Sequence, residues 1–143
     1  MLTTSAPKLT YEGARAILEA AARKAKEMML PICIAVVDEG GHLLAFARID
    51  DARPSSARVA VTKATSAALR RAATGPLPNA ENTSVLLSLG MPLASEGNLT
   101  CVRGGLPLEV AGTVIGGIGI SAGTEAQDEE VARAGLKALS ESN

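Results

Sequence analysis

Tryptophan is absent from this sequence, and tyrosine, phenylalanine and histidine occur once each, as Tyr11, Phe46 and His42. Its core must be built from Ala, Val, Leu, Ile and Met, side chains small enough to let helices lie close to a sheet and to suit large subunit interfaces. The same scarcity, with a net charge of −1, excludes nucleic acid as a partner, because there is neither a basic field nor a set of stacking platforms. Two cysteines, Cys33 and Cys101, form no Cys-x-x-Cys pair. Both fall in expected strands, where each is a small buried hydrophobe or, if the two meet, half of a disulfide. One histidine and no Cys–His spacing exclude a zinc site, and a lone histidine with no identified Ser or Cys neighbour makes no nucleophile triad. No apolar run reaches membrane-spanning length, and no basic segment followed by an apolar core opens the chain. The expectation is a cytoplasmic protein with no membrane partner.

What is present is ample apolar material, 47% of 143 residues, for one domain over 1–143 with residues 1–9 as a flexible arm. Thr10 is placed to cap an amphipathic helix from Tyr11 to about Met29, in which Ala14, Ile17, Leu18, Ala21, Ala25 and Met28 recur at helical spacing. Strands are expected over Ile32 to Val37 and Leu43 to Ile49, joined by the turn residues Asp38-Glu39-Gly40-Gly41. An alanine-rich helix runs from Pro54–Ser56 to about Ala72. A Gly/Pro loop follows over 75–84, then a short helix from Ser84 to Leu89 ended by Gly90-Met91-Pro92. Strands are expected at Asn98 to Val102, Leu106 to Val110 and Thr113 to Ser121. The Thr124-x-x-Gln127 capping box opens a last helix from Glu125 to about Ser140. The order is α-β-β-α-β-β-β-α, and the short links predict an α+β fold with a five-stranded, largely antiparallel sheet and helices packed on it.

Glycines crowd the stretch from Arg103 to Asp128. Gly112, Gly116, Gly117 and Gly119 superficially suggest a phosphate loop, but they sit inside an apolar strand run, with no Gly-Lys-Ser/Thr and no G-x-G-x-x-G opening a helix. Within a strand they point to close approach of another backbone, a bulge or a ligand.

Three blocks, VVDEGGHLLAFARIDDA, VTKATSAA and GGLPLEVAGTVIGGIGISAGTEAQD, resemble the GlcG/HbpS family, which also contains the C-terminal domain of PduO-type corrinoid adenosyltransferases. The likeness runs from about Thr10 to Leu139. It implies a profilin-like fold, homo-oligomers, and binding of haem with slow haem degradation; other members accompany glycolate, diol or aromatic-acid catabolism. Ser121-Ala122-Gly123 stands where the family pattern has Ser-Gly-Gly, Ile49 where it has Met before Asp50, and the segment after the second helix lacks the typical aromatic.

Several residues are candidates for chemistry. His42 is the one imidazole able to ligate haem iron or to titrate near neutrality, or else an exposed turn residue; Met28, Met29 and Met91 offer thioethers, or fill the core. Arg48, Lys63 and Arg103, with backbone N–H groups at Gly104 and Gly105, would form an anion site for haem propionates or a small organic acid if the hairpins bring those ends together; otherwise Arg48 pairs with Asp50 or Asp51, and Lys63 and Arg103 are solvated. Asp38 is most simply a turn former and Asp128 a helix-start acid. Asp50 and Glu96, at a strand end and in a loop, are candidate catalytic acids that with Lys63 would move a proton next to a carbonyl. Three functions follow: a haem- or tetrapyrrole-binding protein; a lyase, isomerase or hydrolase acting on an organic acid in a catabolic pathway; and a non-catalytic oligomeric scaffold.

Overall fold

The computed structural model describes residues 1–77 and 80–142; Pro78 and Asn79 of the expected loop and Asn143 at the end of the domain lie outside them. The chain forms α1 (Tyr11–Glu27), β1 (Cys33–Asp38), β2 (Leu43–Arg48), α2 (Ser56–Arg70), α3 (Val85–Ala94), β3 (Gly105–Val110), β4 (Thr113–Ser121) and α4 (Glu125–Glu141). Among the described residues four strands make one antiparallel sheet in the order β2-β1-β4-β3. Residues 1–9 carry no helix or strand. Among the described residues no helix is long and apolar enough to cross a membrane.

The α+β class stands, but the five-stranded order is corrected to α-β-β-α-α-β-β-α with four strands. The expected strand at Asn98 to Val102 is irregular chain. Its backbone donors are taken by side chains: Thr100 N–H donates to Ser66 Oγ at 2.8 Å, Leu99 N–H to Ser95 Oγ at 3.0 Å and Val102 N–H to Thr100 Oγ1 at 3.2 Å. A segment whose N–H groups are satisfied this way has no need of a neighbouring strand. The short helix also extends beyond Leu89 to Ala94. Pro92 withholds an N–H from the ladder without ending the helix, which closes with Ser95 N–H on Met91 O and Gly97 N–H on Pro92 O.

Each sheet face is covered by its own cluster. Ile34 and Val36 of β1, Leu106 and Leu108 of β3, and Ile118 and Ile120 of β4 meet Ala14, Ile17, Ala21 and Ala25 of α1 and Val131, Ala132 and Leu139 of α4. On the other face Cys33, Ala35 and Val37 meet Ala60, Ala64 and Ala68 of α2. Gly117 and Gly119 of β4 lie on that face as well, where a Cβ at Gly119 would run into the backbone of Ala60 and Ala64, and one at Gly117 into Ala64 O. The glycines of the apolar run therefore bring α2 down onto the strand. The two cysteines are both buried and free.

Candidate functional site

One end of the sheet collects Gly104, Ile120, Lys63 and Asp128. Gly104 O accepts from Ile120 N–H at 2.9 Å, which joins the start of β3 to the end of β4. Lys63, on α2, is 2% exposed. Its Nζ donates to Ile120 O at 2.8 Å and to Asp128 Oδ2 at 3.0 Å, while Asp128 Oδ1 accepts from Gly123 N–H at 3.0 Å. Burial pushes the Asp128 carboxyl above the ordinary aspartate range, against the Lys63 charge and the Gly123 N–H. Gly104 (φ +119) has no room for a side chain, since a Cβ would stand 2.7 Å from Ile120 O and 3.0 Å from Lys63 Nζ. The N–H of Gly105 is occupied by Thr74 Oγ1 at 2.9 Å.

The expected cation set is spread out. Arg103 makes ion pairs with Glu125 and Glu129 of α4, both at 3.5 Å. Arg48 ends β2 opposite Cys33, which pairs with Ser121. Three strand spacings, roughly 14 Å, therefore separate Arg48 from Gly104. Burial pushes the Cys33 thiol up, with the Arg48 charge opposing it.

His42 sits at the β1–β2 turn, exposed, its Nδ1 at 3.2 Å from Asp38 Oδ1. Burial works to raise the Asp38 carboxyl, but the N–H groups of His42 and Gly40 and the nearby imidazole outweigh it and hold the group below its usual value. The six residues of β2 place His42 and Asp50 at opposite ends of the strand, roughly 20 Å apart.

Asp50 lines a groove of about 900 Å³ between the end of α1 and the β2–α2 turn. Its wall is Ala22, Met29, Leu30, Pro31 and Ile49; Glu19, Arg23 and Lys26 of α1 stand on one rim and Asp50 and Asp51 on the other. Met29 is 88% exposed. Met29 (φ 55) and Asp51 (φ 70) both hold left-handed backbone conformations, a cost that L side chains meet only where the surroundings impose it. Glu96 lines a second groove, about 560 Å³, between β2 and α2, with Leu43, Phe46, Arg58 and Val61. Lys63 lines neither groove. Among the described residues no cluster of His, Cys, Asp or Glu is arranged to hold a metal ion.

Asp128 escaped the sequence reading as anything but a helix-start acid. The signal was Lys63 bordering the small-residue face of Ala60, Ala64, Ala67 and Ala68 on α2, a lysine which on burial needs a carboxylate. Arg23 and Lys26 were hidden because a charged stripe on an amphipathic helix ordinarily faces water.

The model of the family described as haem degrading protein HbpS-like matches residues 9–137. The chain is 38% identical to Protein GlcG of Escherichia coli K12 over 113 residues, 79% of this chain and 81% of GlcG. Among solved structures, HbpS superposes with a TM-score of 0.80 at 31% identity, covering 95% of this chain and 93% of HbpS. The PduOC:haem complex superposes with a TM-score of 0.79 at 27% identity, covering 92% and 95%.

Proposed function

This chain belongs to the HbpS-like family of haem-degrading proteins, and from that premise we propose that it binds haem or a related tetrapyrrole in the groove between α1 and the β2–α2 turn. The groove itself carries the reading. Its volume of about 900 Å³ lies within the 300–1,000 Å³ range of small-molecule sites. An apolar wall of Ala22, Leu30, Pro31 and Ile49 suits one face of a macrocycle, and Arg23 and Lys26 stand at the rim, where guanidinium and ammonium groups can pair with propionates. The soft donor within this groove is the Met29 thioether, which suits iron. Bound haem would supply redox-active iron. The protein's part is to hold the propionate edge with Arg23 and Lys26, to keep water from the face against the apolar wall, and to present Asp50 as a group able to carry a proton.

Haem titration followed by the Soret band tests this. Replacing Arg23 and Lys26 together by Glu is expected to weaken binding at least tenfold, and Met29→Ala to change the spectrum of the bound form. Should His42→Ala abolish the spectral change while the groove variants leave it intact, the ligand lies at the β1–β2 turn and the groove reading is wrong.

A further inference from the structure

The β2–α2 turn also lines a smaller recess of about 340 Å³, where Arg48 and Arg53 stand with Asp50 and Asp51. Neither guanidinium forms an ion pair among the described residues. Arg53 donates to Ala122 O at 3.4 Å, and Arg48 stands in a row with Cys33 and Ser121 across three strands. Directly paired residues share a face, so this row lies on the side of the sheet that α2 covers. Two strand spacings, roughly 10 Å, lead from Arg48 to Ser121. The Arg48 charge is felt at Cys33 between them, where it opposes the burial that raises the thiol.

Above the row comes the first turn of α2. Gly117 meets Ala64 and Ala68, and Gly119 meets Ala60 and Ala64. One more pair of residues along β4 and one more turn back along α2 set Ser121 opposite Ser56. Ser56 is 4% exposed and Ser121 7%. Neither hydroxyl has a hydrogen-bond partner among the described residues. Because no side-chain oxygen sealed from solvent is left unpartnered there, the small surface these serines keep includes Oγ itself. Both adjoin the recess through their chain neighbours: Ser56 N–H donates to Arg53 O at 3.0 Å, and Ala122, next to Ser121, accepts the Arg53 guanidinium. Burying a hydroxyl costs free energy unless it is bonded. Here two such hydroxyls lie beside two cations that no acid neutralises.

We infer that this recess is a second ligand site, which binds the carboxylate of a small organic molecule between the Arg48 and Arg53 guanidinium groups and the Ser56 and Ser121 hydroxyls. It is separate from the groove proposed for haem, which neither arginine lines. Carboxylate fits better than phosphate. Asp50 and Asp51 balance the two cations in the lining, so one added negative charge is accepted more readily than two. The volume stands at the lower end of the roughly 300–1,000 Å³ range of small-molecule sites, which restricts the ligand to a small one.

Acetate and inorganic phosphate, each titrated into the ¹⁵N-labelled full chain and followed by amide chemical shifts, test this. Acetate is expected to move the N–H signals of Arg53, Ser56, Ser121 and Ala122 along saturating curves. Arg48 is exposed, so Arg48→Gln keeps the fold; it is expected to weaken acetate binding about tenfold, the worth of one hydrogen bond to a charged group. Ser56→Ala with Ser121→Ala should weaken binding at least as much and leave the thermal midpoint of the free protein unchanged, since these hydroxyls bond nothing inside the chain. Arg23→Glu with Lys26→Glu should leave the acetate response intact. Shifts that never saturate or that scatter over the surface would overturn the inference. So would phosphate moving the same signals at lower concentration than acetate near neutral pH, or a serine double variant that loses stability yet keeps its acetate affinity.

Discussion

The two faces of the sheet are covered by different means. Toward α1 and α4 the strands present Ile34, Val36, Ile118 and Ile120, and branched side chains fill the space between sheet and helices. Toward α2 they present Cys33, Ala35 and the bare positions Gly117 and Gly119, so that helix backbone and strand backbone come almost into contact. A face filled by side chains can relax when a methyl group is lost, whereas a face formed by two backbones has no side chain to move aside. The α2 face should therefore fail abruptly and the α1/α4 face by degrees.

The sharpest break comes from Gly119→Val. Its Cβ alone would meet the backbone of Ala60 and Ala64, so the cost is expected to exceed the ~3 kcal/mol common for overpacking. Thermal unfolding should show no cooperative transition, and Gly117→Val should behave alike. A well-folded Gly119→Val protein with an unshifted midpoint would show that α2 can lift away, and the contrast between the faces would be lost.

Next in size is Lys63→Met. Its partner Asp128 would be left buried beside Gly123 without the ammonium, and breaking such a pair by removing one member costs about 3–5 kcal/mol. The companion variant Lys63→Met with Asp128→Leu should recover much of that loss in a urea titration, because the unpaired carboxylate is gone. If the double variant is no better than the single one, the pair does more than neutralise itself.

The gentle face supplies the smaller effect. Ile118 is fully buried among the residues of α1 and α4, and Ile118→Val removes one methyl group, at a cost of about 0.5–1.5 kcal/mol. A loss comparable with that of Gly119→Val would mean that both faces are equally rigid.

These contrasts were legible in the sequence to unequal degrees. The Thr10 cap and the Thr124–Gln127 capping box are local, each joining residues three apart, and both form. The span of β4 from Thr113 to Ser121 follows from its run of Val and Ile and the turn at Ala111-Gly112. The segment at Asn98 to Val102 has comparable extended character, but Ser66 lies 34 residues away in sequence, and nothing in the segment announces that Ser66 Oγ takes the Thr100 N–H. The Lys63–Asp128 pair spans 65 residues for the same reason. The groove at the end of α1 depends on where Pro31 and the Asp50-Asp51 turn come to rest beside Arg23 and Lys26, which the helical pattern of α1 does not contain.

The smallest effect sets the two perturbed aspartates against each other through pH. Asp38, at the β1–β2 turn, has its folded pKa depressed. Its contribution is present above the unfolded aspartate value and is lost as pH falls through the folded one. Asp128, beneath α2, has its folded pKa raised by burial. Between the ordinary aspartate value and its own, the folded state holds the proton more tightly than the unfolded chain does, so this group's contribution declines as pH rises through that interval. Urea midpoints measured from about pH 3 to 6, the carboxylate range, should therefore respond in opposite senses. Asp38→Asn should flatten the loss of stability on the acid side, and Asp128→Asn should remove a decline on going toward neutrality while lowering stability throughout. If Asp128→Asn instead flattens the acid limb as Asp38→Asn does, the Lys63 charge prevails over burial and the buried carboxylate is ionised in the fold across the whole range.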